Sequence, residues 1–180
     1  MDAEMQPLDE AVDHVRGGRT GPVIVVYGDY QCPASRVASR ELERVEGRYE
    51  EAVRVAFRHF PLTHIHPHAL AAAAAAEAAA LQGQFWAMHA LLFHRQNAFE
   101  DDYLRRYATK LGLDLSRFDR DRAAPAVHAR IQRDVRSGRT TGQVTGTPTL
   151  FVDGVVHRGS YEAAALMEAL APRLPVASQV

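Results

Sequence analysis

The run Val23-Ile24-Val25-Val26-Tyr27-Gly28-Asp29-Tyr30-Gln31-Cys32-Pro33-Ala34-Ser35 decides how the rest of the chain is read. Its first five residues are β-branched or aromatic without a polar break, framed by Gly21-Pro22 and Gly28-Asp29. Unbroken apolarity over so short a span predicts a strand buried on both faces, as in parallel sheets. Pro33 suits the first position of a helix, where its missing N–H would be unpaired in any case. Val37, Leu42 and Val45, set among charged residues, continue that helix to near Gly47. Val53, Val55 and Phe57 then alternate with Arg54, Ala56 and Arg58, a period-two strand ending at Phe60-Pro61. The unit is β-α-β, and Cys32 lies between the end of its first strand and the start of its helix.

From about His66 to Gly142 no convincing strand is present. Ala69 to Leu81 has high helix propensity, Gly83 interrupts, and Phe85 to Arg95 resumes a helix. Asp101 to Leu111, Leu115 to Arg120 and Pro125 to Arg139 read as three more, with Arg130, Arg133 and Arg136 forming a solvated face of the last. Strands return at Thr149 to Val152 and Val155 to His157 around Asp153-Gly154, a tight-hairpin signal. A helix over Tyr161 to Leu170 precedes a Pro-containing tail. The order β-α-β, helices, β-β-α predicts an α/β fold. Residues 1–62 and 143–180 form one unit, and 63–142 are an all-helical insertion.

The 180 residues suit about one domain, and 47% hydrophobic with 24% charged residues is an ordinary globular balance. Lys and Arg number 21 against 22 Asp and Glu, a net charge of −1, so the basic excess expected of a nucleic-acid or membrane-surface partner is missing. No stretch approaches the roughly eighteen apolar residues of a membrane span. The opening MDAEMQPLDEAVDH is acidic where a secretory leader would be basic and then apolar. For a whole chain, that predicts a cytoplasmic protein.

Cys32 is the single cysteine, which excludes an intramolecular disulfide and a Cys-rich zinc site. At a helix N-terminus, unpaired N–H groups and the helix dipole favour its thiolate. Ser35, one turn on, either reaches the same sulfur or simply caps the helix. Pro148 begins a strand within Val144-Thr145-Gly146-Thr147-Pro148-Thr149-Leu150-Phe151. Were its bond to Thr147 cis, the preceding backbone would turn outward, where an extended peptide could pair with it. His59, His64, His66 and His68 would bind zinc or copper only if they converged. They read better as loop and helix-capping residues, and no metal is expected. His89, His94 and His128 fall on helices and read as packed or exposed rather than catalytic.

Taken together, several stretches resemble the DsbA-like branch of the thioredoxin-fold thiol–disulfide oxidoreductases. They are Tyr27-Gly28-Asp29-Tyr30-Gln31-Cys32-Pro33, Arg58-His59-Phe60-Pro61-Leu62, His66-Pro67-His68-Ala69, Phe85-Trp86 with Met88-His89, and Gly146-Thr147-Pro148-Thr149. The resemblance implies a thioredoxin fold carrying a helical insertion, with Cys32 as nucleophile and Pro148 as the cis-proline facing it. Tyr30 and Pro33, with Thr147 and Pro148, are then expected to contact substrate. The family pattern is C-x-x-C, and Ser35 stands at its second cysteine position. Either this is a monothiol variant, or a Cys→Ser change that traps mixed disulfides. The implied substrates are cysteine-containing proteins or small thiols. No metal or organic cofactor is expected, and glutathione or a similar thiol serves as resolving co-substrate. Two alternatives remain open: a redox-inactive peptide-binding module, and a glutathione-transferase-like or isomerase-like enzyme.

Overall fold

The computed structural model describes residues 4–174. Residues 1–3 and 175–180, the two ends of the expected unit formed by 1–62 and 143–180, lie outside the described residues, as does the end of the Pro-containing tail. In chain order the elements are β1 (His14–Gly17), β2 (Val23–Gly28), α1 (Pro33–Tyr49) and β3 (Arg54–His59). Five helices follow: α2 (Ala69–Ala80), α3 (Phe85–His94), α4 (Asp101–Lys110), α5 (Leu115–Ala123) and α6 (Pro125–Thr140). The chain closes with β4 (Thr149–Val152), β5 (Val155–His157) and α7 (Ala163–Leu170).

The strands form one mixed sheet in the order β1-β3-β2-β4-β5. β2 and β3 run parallel, from Val23 opposite Arg54 to Gly28 opposite His59. Parallel neighbours need a crossover, which α1 supplies. All other pairings are antiparallel. This is the thioredoxin fold, with a helical segment between β3 and β4. At the β4–β5 hairpin, Asp153 and Gly154 both take positive φ, 46° and 80°, as a two-residue turn between twisted strands requires.

All six residues of β2 are buried. Ile24 and Val26 pack against Leu42 and Val45 of α1 and Leu166 and Leu170 of α7. Val25 and Tyr27 face the other way, onto Phe151, Val144 and Val135 of α6. Gly138 lets α6 come this close, since a Cβ there would meet the Tyr27 ring at 3.0 Å and the Phe60 ring at 3.1 Å. α2 is alanine on nearly every side and buried on nearly every side, because it runs between other helices.

The structure departs from the sequence reading in three places. β1 was not expected: its four residues carry too little apolar pattern to announce a strand, and it is an edge strand defined by its pairing with β3. β3 is not half-exposed, because Ala56 and Arg58 are as buried as Val55. Arg130 and Arg133 do not form a solvated face. Arg130 pairs with Asp134 and donates to the Val12 carbonyl, and Arg133 reaches Asp13 and Asp134, leaving only Arg136 exposed.

Arg58 explains how a guanidinium can occupy the interior. Its Nε and Nη2 bind both oxygens of Asp13 at 3.0 and 2.8 Å. Its remaining N–H groups reach Tyr27 Oη, the Gln6 carbonyl and the Pro7 carbonyl. All five donors are thereby used. Burial opposes the charge of each partner, and their mutual bonds outweigh it. Arg58 stays protonated, and the Asp13 carboxyl lies below its ordinary value. The pair ties the N-terminal segment to the sheet.

Asp13→Asn should therefore cost about 3 kcal/mol of unfolding free energy in urea at neutral pH, because Arg58 stays buried without its counter-charge. A depressed carboxyl contributes stability above its unfolded value and loses it as pH falls through the folded one. The wild type should accordingly weaken in acid along a limb that the Asn variant lacks. Equal stability of the two proteins at neutral pH would contradict this account.

Candidate functional site

β2 ends at Gly28 and α1 begins at Pro33, so the four-residue turn between them sits at the C-terminal edge of the central strand. Cys32 is the N-cap of α1 with φ −75° and ψ 120°, and Pro33 opens the first helical turn. No side chain caps this helix, and no acidic residue lies in its first turn. A sulfur at this position faces the positive end of the helix, whose own first turn places no carboxylate against it. The thiol is 7% exposed and donates to the Thr147 carbonyl at 3.2 Å. The Thr147–Pro148 peptide bond is cis. Thr147 Oγ1 is buried without a hydrogen-bond partner, whereas the Pro148 carbonyl accepts from Tyr161 Oη at 2.9 Å. The Thr147 carbonyl can take a hydrogen bond from a thiol but not from a thiolate.

The sequence-predicted residues are only partly gathered here. Cys32, Pro33, Thr147 and Pro148 meet around the sulfur. Ser35 is 2% exposed, and its hydroxyl accepts from the Asp29 N–H at 3.3 Å, so its bond is with the strand end and not with the sulfur. Tyr30, expected among the substrate contacts, is 1% exposed and points into the core. Its hydroxyl bonds His89 Nδ1 at 3.0 Å, and its ring stacks on Phe57 at 5.3 Å. Burial pushes the phenol well above its ordinary range and the His89 imidazole well below its own, so the pair is a neutral hydrogen bond. An apolar ring with one polar tip is as well suited to a core as to a groove, and the sequence alone does not separate the two.

Two residues that the sequence reading left without a role hold the turn together. Asp29, 1% exposed, accepts from the N–H groups of Gln31 and Leu62 and from His66 Nδ1, each at 2.8 Å. Gln96, in the α3–α4 connection, donates through Nε2 to the carbonyls of Tyr30 and Cys32 at 2.8 and 2.7 Å. A surface cavity of about 400 Å³ opens beside the turn, lined by Gln31, Pro33, His66, His68, Gln96 and Phe99 among others. A carboxylate two residues before Gln31 carries an Asx-turn signal in sequence. Nothing in the sequence marks Gln96.

The four clustered histidines do not converge. His66 is spent on Asp29, the backbone N–H of His68 donates to Gln31 Oε1, and His64 is exposed. His59 instead joins His14 on Glu77: both Nε2 atoms lie 2.8 Å from the same Oε1. Among the described residues this is the group of donors compact enough to invite a metal, all within 4.8 Å of one another. The geometry fits hydrogen bonds better. The imidazoles share one oxygen at N–H···O length, and His59 Nδ1 is buried without the acceptor that a ligating histidine ordinarily uses. Burial opposes the Glu77 charge, and the two imidazole bonds outweigh it, holding the carboxyl well below its usual range.

A thioredoxin family model matches residues 9–171. Among curated proteins, the Na(+)/H(+) antiporter NhaA 3 of Salinispora tropica is 45% identical over 167 residues, covering 92% of this chain and 25% of that protein. The Na(+)/H(+) antiporter NhaA of Herminiimonas arsenicoxydans is 39% identical over 158 residues, with 87% and 25% covered. The chain thus spans about a quarter of the length of the curated relatives it matches. No helix among the described residues is long and apolar enough to cross a membrane. Among solved structures, a thioredoxin-like oxidoreductase from Silicibacter pomeroyi is 29% identical at a TM-score of 0.79, covering 89% of this chain and 91% of that one. Oxidised BdbD from Bacillus subtilis is 18% identical at a TM-score of 0.80, covering 94% and 96%, a likeness of fold.

Asp29→Ala strips three donors of their acceptor in a closed site. It should lower the unfolding free energy in urea by about 2–4 kcal/mol, a buried-network loss. A change below about 0.5 kcal/mol, within the range of a neutral surface substitution, would mean that water replaces the carboxylate without cost.

Proposed function

The chain belongs to the thioredoxin family, and on that premise we propose that it is a DsbA-like member that exchanges thiols and disulfides through Cys32 alone. The observation that carries the reading is the placement of the sulfur: N-cap of α1, 3.2 Å from the carbonyl that precedes Pro148. The Cys32 thiolate attacks one sulfur of a substrate disulfide. The S–S bond breaks, its electron pair leaves on the second sulfur, and a Cys32–substrate disulfide forms. The helix N-terminus stabilises the attacking anion. The backbone at Thr147, held by the fixed Pro148 turn, lies where an extended cysteine-bearing peptide would align beside the sulfur.

Ser35 cannot complete a dithiol cycle, since a hydroxyl does not displace a thiolate from a disulfide. Release needs a second thiol from outside the chain, and glutathione or another low-molecular-weight thiol fits that role. One molecule of that thiol attacks the Cys32 sulfur and frees the substrate thiol, leaving a Cys32–small-thiol disulfide; a second attacks that disulfide, restores Cys32 and leaves as the oxidised small disulfide. Substrates are then cysteine-containing proteins or small disulfides.

Ser35→Cys should turn this monothiol exchanger into a dithiol one. A cysteine one turn from Cys32 would attack the mixed disulfide at an effective concentration in the millimolar range. At about 0.1 mM external thiol, insulin-disulfide reduction should therefore rise roughly tenfold over wild type. The wild-type rate should grow with external thiol concentration, and Cys32→Ser should give the blank. If Ser35→Cys gains nothing over that blank, the site is a peptide-binding groove without redox turnover.

A further inference from the structure

Gln96 is the contact through which the segment between α3 and α4 grips the Cys32 turn. Its carboxamide nitrogen is shared between two carbonyls of that turn, Tyr30 at 2.8 Å and Cys32 at 2.7 Å, and the residue is 7% exposed. The Cys32 carbonyl also accepts the Arg36 N–H at 3.2 Å, the first hydrogen bond of α1. Gln96 therefore holds the peptide group on which the helix starts.

We propose that Gln96 is a positioning residue that sets how readily Cys32 ionises and reacts, an inference resting on the reading of Cys32 as the nucleophile. Two physical effects run the same way. The ψ of 120° at Cys32 is the extended N-cap geometry that aims the N–H groups of the first turn at the N-cap side chain. With no other side chain capping α1, a thiolate is the acceptor those groups lack. Fixing both carbonyls keeps that geometry. The amide also places the positive end of its own dipole beside the cysteine, neutralising the carbonyl oxygens that would otherwise repel a neighbouring anion. Without the clamp, two carbonyls compete for solvent or new donors, and the turn is free to rotate its N–H groups off the sulfur.

Gln96→Met keeps the length and flexibility of the side chain and removes both donors. Gln96→Glu replaces donors with an acceptor, and Gln96→Asn keeps the donors but withdraws them by one methylene. The test is the rate of Cys32 alkylation by iodoacetamide from pH 6 to pH 10 in the full chain, with urea unfolding in parallel. At pH 7 Gln96→Met should react roughly tenfold more slowly than wild type, Gln96→Glu at least as slowly, and Gln96→Asn in between. At high pH, where every thiol is ionised, all rates should converge. If Gln96→Met fails to fold, the Asn variant decides by the same curve. Lower stability with an unchanged rate–pH curve would overturn the proposal and leave Gln96 a packing residue. A slowing by the same factor at every pH would also overturn it, since that reports access to the sulfur rather than ionisation. A wild-type Cys32 no faster at pH 7 than a free thiol would fell the nucleophile reading itself, an outcome set apart by needing no variant.

Discussion

β2 must be covered on both faces, and the architecture follows from that requirement. Five consecutive apolar residues can be kept from water only if helices lie on either side of the sheet. α1 and α7 take one face, and α6 with the N-terminal segment takes the other. The parallel partner β3 then forces α1 to be a crossover, and a crossover helix starts where its strand ends. Cys32 sits at that junction, so its position at a helix N-terminus is a consequence of how the core is closed.

The same closure creates polar problems, each solved locally. Arg58, Asp13, Glu77, His59, Asp29 and Asp134 are buried, and each is tied to a partner of fixed geometry. Their partners come from distant parts of the chain: the N-terminal segment reaches Arg58, β1 reaches Glu77, and the loop after β3 reaches Asp29. Such networks contribute little net free energy when complete and cost much when broken. Their effect is to fix which segments dock where. The loop carrying Leu62 and His66 is pinned to the residue three places before Cys32, so the Cys32 turn and the loop after β3 are tied together.

The sulfur sits between two features that come from different parts of the chain. It donates to the Thr147 carbonyl, and it belongs to the N-cap residue of a helix that no side chain caps and whose first turn holds no acidic residue. Gln96 meets the same turn from the α3–α4 connection, through the carbonyls of Tyr30 and Cys32.

The sequence by itself determined the β-α-β start, the run of helices, the closing hairpin and the place of Cys32. Each of these is encoded in local pattern: the Val23–Tyr27 run, Pro33 at a helix start, and Asp153-Gly154 between strands. Local pattern reports what a segment's own backbone prefers and which of its faces is apolar. The departure at Ser35 stands out only against the C-x-x-C pattern of the family that the sequence resembles. Tertiary structure alone decided that β1 pairs, that Tyr30 turns inward, and that Arg130 and Arg133 are clamps rather than a solvated face. Only the folded chain brings His14 to Glu77 and Gln96 to the carbonyl of Cys32, 64 residues away in sequence. The physical reason is common to all of these. A buried polar group takes whichever partner the fold brings within hydrogen-bonding distance, and no periodicity along the chain records that partner.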